Sequence, residues 1–143
     1  MSEENKIISQ RFYEQVFNQG NMSAADQLLS VGGVDHNPPG PGFAPGIEGV
    51  KQVVMMFRTA FPDLHLTVED QIAEVDRVVS RITVRGTHQG ELLGVPPTGK
   101  MVTVGLVDIL RLDGGKIVER WGQFDALGML QQLGAVPQPG RGG

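Results

Sequence analysis

Asp108, Asp125, His88 and His36 are the side chains whose types and placement suit acid–base chemistry. Asp108 interrupts the apolar run Leu106-Val107-Asp108-Ile109-Leu110 on the strand phase of Val102, Val104 and Leu106, and an ionised carboxylate on a buried strand needs a cationic partner or a raised pKa. Arg81, Arg85 and Arg120 are candidate partners on neighbouring strands; an inward acid or base is the other reading. Asp125 ends a strand on the phase of Ile117 and Trp121, where an apolar pocket would tune it as a general base. It also stands directly before Ala126-Leu127-Gly128-Met129-Leu130, where a carboxylate caps a helix, and both readings stand. His88 shares its phase with Ile82 and Val84 and either serves catalysis or locks the Gly/Pro loop that follows. His36 precedes a proline-rich loop, placed to line a pocket mouth or to pin the loop. His65, between Leu64 and Leu66, falls on the polar phase and is expected in solvent.

The chemistry these groups could perform is removal of a proton α to a carbonyl by an inward carboxylate, with a histidine or the Trp121 N–H polarising the oxygen. Such a reaction needs a dry pocket and a tuned base, and no cofactor. His36, Trp121, Phe57, Phe12 and Leu106 are the expected substrate-binding residues, although a tryptophan at 121 would serve equally in a core. Two other functions fit: a binding module that holds a hydrophobic small molecule unchanged, or an epoxide or ester hydrolase. Hydrolysis would need Asp108 and Asp125 within one water's span and a cation such as Arg81 or Arg85. The three separated histidines lack metal-ligand spacing, so no metal is expected. Gly86-Thr87-His88-Gln89-Gly90 leads into a turn and a strand rather than a helix N-terminus, so it is no dinucleotide loop.

The elements that position these residues read as helices first and strands afterwards. Ile8, Phe12 and Val16 recur every four residues and predict a helix over 2–18, broken at Gly20-Asn21. Capping-box spacing at Ser23 to Asp26 predicts a short second helix, after which residues 31–36 lead into an extended loop. The segment 37–46, with its four prolines, is a rim or lid. Val50, Val54, Phe57 and Phe61 mark a third helix over 47–61, ended by Pro62-Asp63. Residues 64–124 read as antiparallel sheet, with a turn at Asp76-Arg77 and a hairpin signal at Asp113-Gly114-Gly115-Lys116. The fold class is therefore α+β: a curved antiparallel sheet closed by about three N-terminal helices, with a short C-terminal helix.

At 143 residues the chain suits one domain over 1–136, followed by a Gly/Pro-rich tail at 137–143 that is expected to be mobile. Twelve Lys and Arg against sixteen Asp and Glu give a formal charge of −4 with no basic cluster, which argues against nucleic acid. The absence of cysteine excludes disulfides and thiolate chemistry. No apolar run has the length of a membrane span and the N-terminus lacks a signal-peptide core, so a cytoplasmic protein is expected.

Several motifs carry a family likeness: His36-Asn37-Pro38-Pro39, Phe61-Pro62-Asp63-Leu64, Gly86-Thr87-His88-Gln89-Gly90-Glu91, Pro96-Pro97-Thr98-Gly99, Asp113-Gly114-Gly115-Lys116-Ile117, and Trp121 followed by Asp125 and Gln132-Leu133-Gly134. Together they resemble the SnoaL-like polyketide cyclases, or ester cyclases, over nearly the whole chain. The resemblance implies a cone-shaped fold of the nuclear transport factor 2 type and homodimers or higher homo-oligomers. It also implies a small hydrophobic molecule as partner. The cyclases that the chain resembles carry an inward histidine where this chain has Asp108, and an acid/base aspartate around Trp121-Gly122; that pair is not reproduced here.

Overall fold

A computed structural model describes residues 2–136. The tail at 137–143 lies outside the described residues. The first helix, α1 (Ser2–Arg11), runs on without a break into a π-helical segment, Phe12–Asn18, in which Gln19 N donates to Glu14 O at 3.0 Å. The wider π turn brings Phe12, Tyr13 and Val16 to the interior together. The short α2 (Met22–Leu28) is capped by Asn21, whose side chain accepts from Ala24 N, so the cap falls two residues before the expected Ser23. α3 (Gly46–Ala60) presents Val50, Val54 and Phe57 inward as its period predicts.

Four strands follow as an antiparallel meander: β2 (His65–Glu74), β3 (Arg77–Thr87), β4 (Met101–Asp113) and β5 (Lys116–Phe124). The β4–β5 turn places Gly114 and Gly115 at φ +59° and +80°, a conformation that glycine adopts without strain. A fifth strand fills the segment leading into the 37–46 loop, where no strand is expected from sequence. β1 (Leu29–Asp35) pairs in parallel with β5 and gives the sheet order β1-β5-β4-β3-β2. Its Val31-Gly32-Gly33-Val34 stretch is an exposed edge with two glycines, so it shows neither the alternation nor the β-branched run that announces a strand. α4 (Ala126–Leu133) closes the chain, burying Met129 and Leu133, and ends at Gly134 in the left-handed conformation.

The core lies between the concave face of the sheet and the first and third helices. Val78, Ile82 and Val84 of β3 and Val102, Val104 and Leu110 of β4 are buried against Phe12, Val16, Val54 and Phe61. His65 is exposed on the opposite phase. No helix among the described residues is long and apolar enough to cross a membrane.

Two side chains tie the end of the π segment to its neighbours. Asn18 donates through Nδ2 to Leu66 O at 3.0 Å and accepts from Leu66 N at 2.7 Å, which ties the end of the π segment to β2. Arg58 of α3 donates to the carbonyls of Phe17 and Asn18 at 2.9 and 2.7 Å, satisfying oxygens that a helix end leaves open. Asn18→Ala removes both bonds to Leu66 and should cost about 1–2 kcal/mol, read as a lower urea midpoint with an unchanged m-value.

Candidate functional site: a cavity with a carboxylate at its floor

A cavity of ≈ 390 Å³ opens between the sheet and the helices. Its walls are apolar, from Phe12, Phe17, Val53, Phe57, Leu66, Val84, Leu106 and Phe124, and Phe57 meets Phe124 edge-on with ring centroids 5.6 Å apart. Five of its six polar lining residues, Asp108, Arg120, Asp35, His36 and Asn37, gather at one end, and Gln123 is the sixth. The size and the mostly apolar lining with a few convergent polar groups are those of a small-molecule site.

Asp108 is 2 % exposed, and both its oxygens are held. Oδ2 accepts from the Tyr13 hydroxyl at 2.9 Å. Oδ1 accepts from Arg120 Nε at 3.1 Å, with Nη2 in ion-pair contact at 2.9 Å. The same guanidinium reaches Asp35 through Nη1 at 2.9 and 3.1 Å and donates to Asn37 O at 3.0 Å. Two carboxylates thus share one cation. Burial raises the Asp108 pKa above the ordinary 3.8; Arg120 and Tyr13 pull it down without cancelling the effect, and Asp35 adds to the rise. Arg120 remains charged, since the two carboxylates outweigh the burial that would otherwise lower it.

A β-bulge decides which residues of β5 enter this cluster. Leu112 pairs with Ile117 and Arg111 with Glu119, so Val118 is the extra residue of the bulge. Ile117 is buried inward, and beyond the bulge the inward phase passes to Arg120, Gly122 and Phe124. The expectation that Trp121 follows the phase of Ile117 into the pocket is therefore corrected. Trp121 does not line the cavity; its ring is stacked with His36 at 5.0 Å and lies 5.2 Å from the Arg77 guanidinium. Gly122 sits in register opposite Asp108, and a Cβ there would fall on both the Arg120 guanidinium and the Asp108 carboxyl. Glycine at 122 is what leaves room for their pairing.

The other sequence-derived candidates separate clearly. Phe12, Phe57, Leu106 and Asp108 line the cavity, as does His36 at its polar end. His36 Nε2 lies 2.6 Å from Glu119 Oε2, and Arg111, then His36, hold the Glu119 carboxyl below its ordinary range. His88 is buried away from the cavity. Its Nδ1 lies 3.0 Å from Thr98 Oγ1 and accepts from Thr98 N at 3.2 Å, while Nε2 is buried without a hydrogen-bond partner. Its role in this geometry is to hold residues 89–99 against the sheet. Asp125 is exposed and caps α4, accepting from Gly128 N at 2.9 Å. Neither residue meets Asp108. Arg81 pairs with Asp70 on the exposed face at 2.6 Å, which leaves Arg120 as the partner of Asp108. Arg120 as a site residue, Asp35 and Tyr13 are the members that sequence reasoning missed. Among the described residues, no group of three or more His, Asp or Glu side chains could hold a metal ion.

Two substitutions test this arrangement. Asp125→Ala should cost about 1 kcal/mol of stability, as loss of a helix cap does, while leaving ligand binding in the cavity unchanged. Gly122→Ala should push Arg120 off Asp108, so that a crystal structure of the variant shows the pair broken and thermal unfolding shows a loss of about 2–4 kcal/mol.

Comparison with known proteins agrees with this architecture. The chain is 28 % identical over 109 residues to the aklanonic acid methyl ester cyclase DnrD of Streptomyces peucetius, a match spanning 76 % of this chain and 72 % of that one. It is 28 % identical over 119 residues to the nogalonic acid methyl ester cyclase of Streptomyces nogalater, across 82 % of this chain and 89 % of that one. The structure of TsrD from Streptomyces laurentii superposes with a TM-score of 0.86 at 30 % identity, covering 95 % of this chain and 98 % of that one. The profile of the SnoaL-like polyketide cyclases matches residues 7–133, and the chain belongs to that family.

Proposed function

We propose that the protein is a cofactor-independent cyclase that closes a ring in a hydrophobic, polyketide-like carbonyl compound, with Asp108 as its acid–base group. The observation that carries this reading is a buried carboxylate, with a pKa raised by burial, facing an apolar cavity large enough for a drug-sized ligand. Asp108 would take a proton α to a carbonyl. The carbanion would add to a second carbonyl of the same molecule, forming the carbon–carbon bond, and the resulting alkoxide would take the proton back. Arg120, the one Arg or Lys among the cavity-lining residues, stands beside the site where negative charge develops. The apolar walls exclude water that would otherwise quench the carbanion.

The departure from the cyclases that this chain resembles fits the same reading. Asp108 and Gly122 are register partners on adjacent strands, so a carboxylate on β4 reaches the space that a side chain at 122 would enter from β5. In this reading Asp108 stands in for the aspartate that the resemblance puts around Trp121-Gly122. The names of the curated relatives, which are methyl ester cyclases, make an aromatic polyketide methyl ester the first substrate to try.

A second reading has its own support. Asp35 and Asp108 bridged by Arg120 are two acids and a cation about one cavity end, the set that water attack on an epoxide or ester requires, with Asp35 and Arg120 in place of the Asp125 and Arg81 or Arg85 anticipated from sequence. Incorporation of ¹⁸O from labelled water into product separates the two, since ring closure incorporates none. For the cyclase, Asp108→Asn should lower kcat about 10²- to 10⁴-fold with little change in KM. In the wild type, kcat/KM should fall as pH drops through the Asp108 pKa, with a midpoint above 3.8, because the base is lost on protonation. Full turnover by the Asn variant would refute Asp108 as the acid–base group, whereas ligand binding by the wild type without turnover would leave binding as the function.

A further inference from the structure

Asp108 lies in a row of polar side chains that crosses the sheet strand by strand. Gln71 on β2 stands in register opposite Ser80 on β3, and Ser80 stands opposite Asp108 on β4. Gln71 Nε2 donates to Ser80 Oγ at 3.0 Å, and Gln71 Oε1 in turn accepts from Gln10 of α1 at 2.6 Å. Tyr13 donates to Asp108 Oδ2 at 2.9 Å, and the buried Ser80 hydroxyl acts electrostatically on the Tyr13 oxygen, favouring its ionised form. Beyond Asp108 the row continues through Arg120 on β5 to Asp35 on β1.

The direction of the bond to Asp108 is fixed. The Tyr13 phenol is buried beside a carboxylate, and burial first, then Asp108, pushes its pKa well above 10, so the hydroxyl keeps its proton and can only donate to Asp108. The Ser80 oxygen accepts from the Gln71 amide, which leaves the Ser80 proton free to turn toward Tyr13. The Gln10 and Gln71 donors run in one sense toward Ser80, and the Tyr13 donor points to the carboxylate, an order in which successive groups polarise one another. Tyr13 and Ser80 are 1 % and 0 % exposed, and neither they nor Gln71 line the cavity. An apolar core at 13 and 80 would have avoided the desolvation of two hydroxyls.

We propose that Tyr13 and Ser80, aligned by Gln71, are positioning residues for Asp108: their donors fix the orientation of that carboxylate and favour its ionised form in the ligand-free cavity. The inference rests on the reading of Asp108 as the acid–base group, and its test is independent of turnover. The charged and titratable groups that face Asp108 are Arg120 from β5, Asp35 from β1 and Tyr13 from the π segment, so removing a donor changes one of three influences. Because Tyr13 donates to the ionised form, its loss raises the pKa of Asp108.

The experiment is a ¹³C titration of the Asp108 carboxyl, assigned with Asp108→Asn, in the wild type, Tyr13→Phe and Ser80→Ala. The midpoint should rise by about 1 pH unit in Tyr13→Phe, as expected for losing a hydrogen bond to a charged group, and by less in the same direction in Ser80→Ala. Ser80→Ala keeps the test available if Tyr13→Phe fails to fold, and urea midpoints report folding in both. Where activity is measured, the acidic limb of kcat/KM should move with the titration. Midpoints equal to the wild type in both variants overturn the proposal, and a shift in Tyr13→Phe alone overturns the part of the row beyond Tyr13. Full turnover in Asp108→Asn would remove the catalytic reading without altering the titration, so the two failures are distinct.

Discussion

A carboxylate buried on the inner face of a sheet is the constraint around which this structure is arranged. Removing Asp108 from water carries a desolvation penalty that only a cation and hydrogen-bond donors in good geometry can offset. Each partner is delivered by an irregular feature. The π segment turns Tyr13 inward beside Phe12, and the bulge at Val118 brings Arg120 onto the inner face. Parallel pairing of β1 with β5 sets Asp35 in register with Arg120. Glycine at 122 leaves the space in which Arg120 and Asp108 meet. Regular elements would have formed the same cone with an apolar floor.

The balance within the cluster is what gives it chemical use. One guanidinium serves two carboxylates, so the group most deprived of water is held less firmly ionised than a paired surface aspartate would be. A base poised in this way accepts a proton from carbon more readily than a carboxylate with an ordinary pKa. The apolar walls act on the same quantity, since they keep water from the charges and strengthen every interaction among them. Stability and reactivity are thus set by the same burial, which is the usual conflict at an active site.

Much of the architecture could be read in the sequence because its signals are local. The four-residue recurrence of Ile8, Phe12 and Val16, the alternation in β3 and β4, and the Gly-Gly hairpin each fix an element from its own residues. Asp108 was legible for the same reason, as a charge on an apolar phase. Its partners were not. Arg120 and Trp121 exchange faces because of one extra residue at 118, and no pattern in Ile117-Val118-Glu119-Arg120 announces a bulge. Asp35 was hidden by a glycine-containing edge strand whose pairing is long-range. Tyr13 lay beside the apolar stripe of a helix read as α, where a π turn widens the buried face. Asp125 shows the opposite limit: position allowed a cap or a base, and only the bond from Gly128 N distinguishes them. His88 was correctly read as inward, yet inward led to the loop of Thr98 and not to the cavity.

The proposed ring closure and the proposed acid–base role of Asp108 on β4 are supported by the family and by the cavity geometry. Both depend on one elementary step, the transfer of a proton from carbon to Asp108. The most direct measurement is NMR of a polyketide methyl ester in deuterated water, following loss of the α-hydrogen signal with wild-type protein and with Asp108→Asn, since exchange reports the step whether or not a ring closes. The account predicts protein-catalysed exchange that disappears in the variant. Equal exchange by the two proteins, above the rate without protein, would contradict it and move the base elsewhere in the cavity.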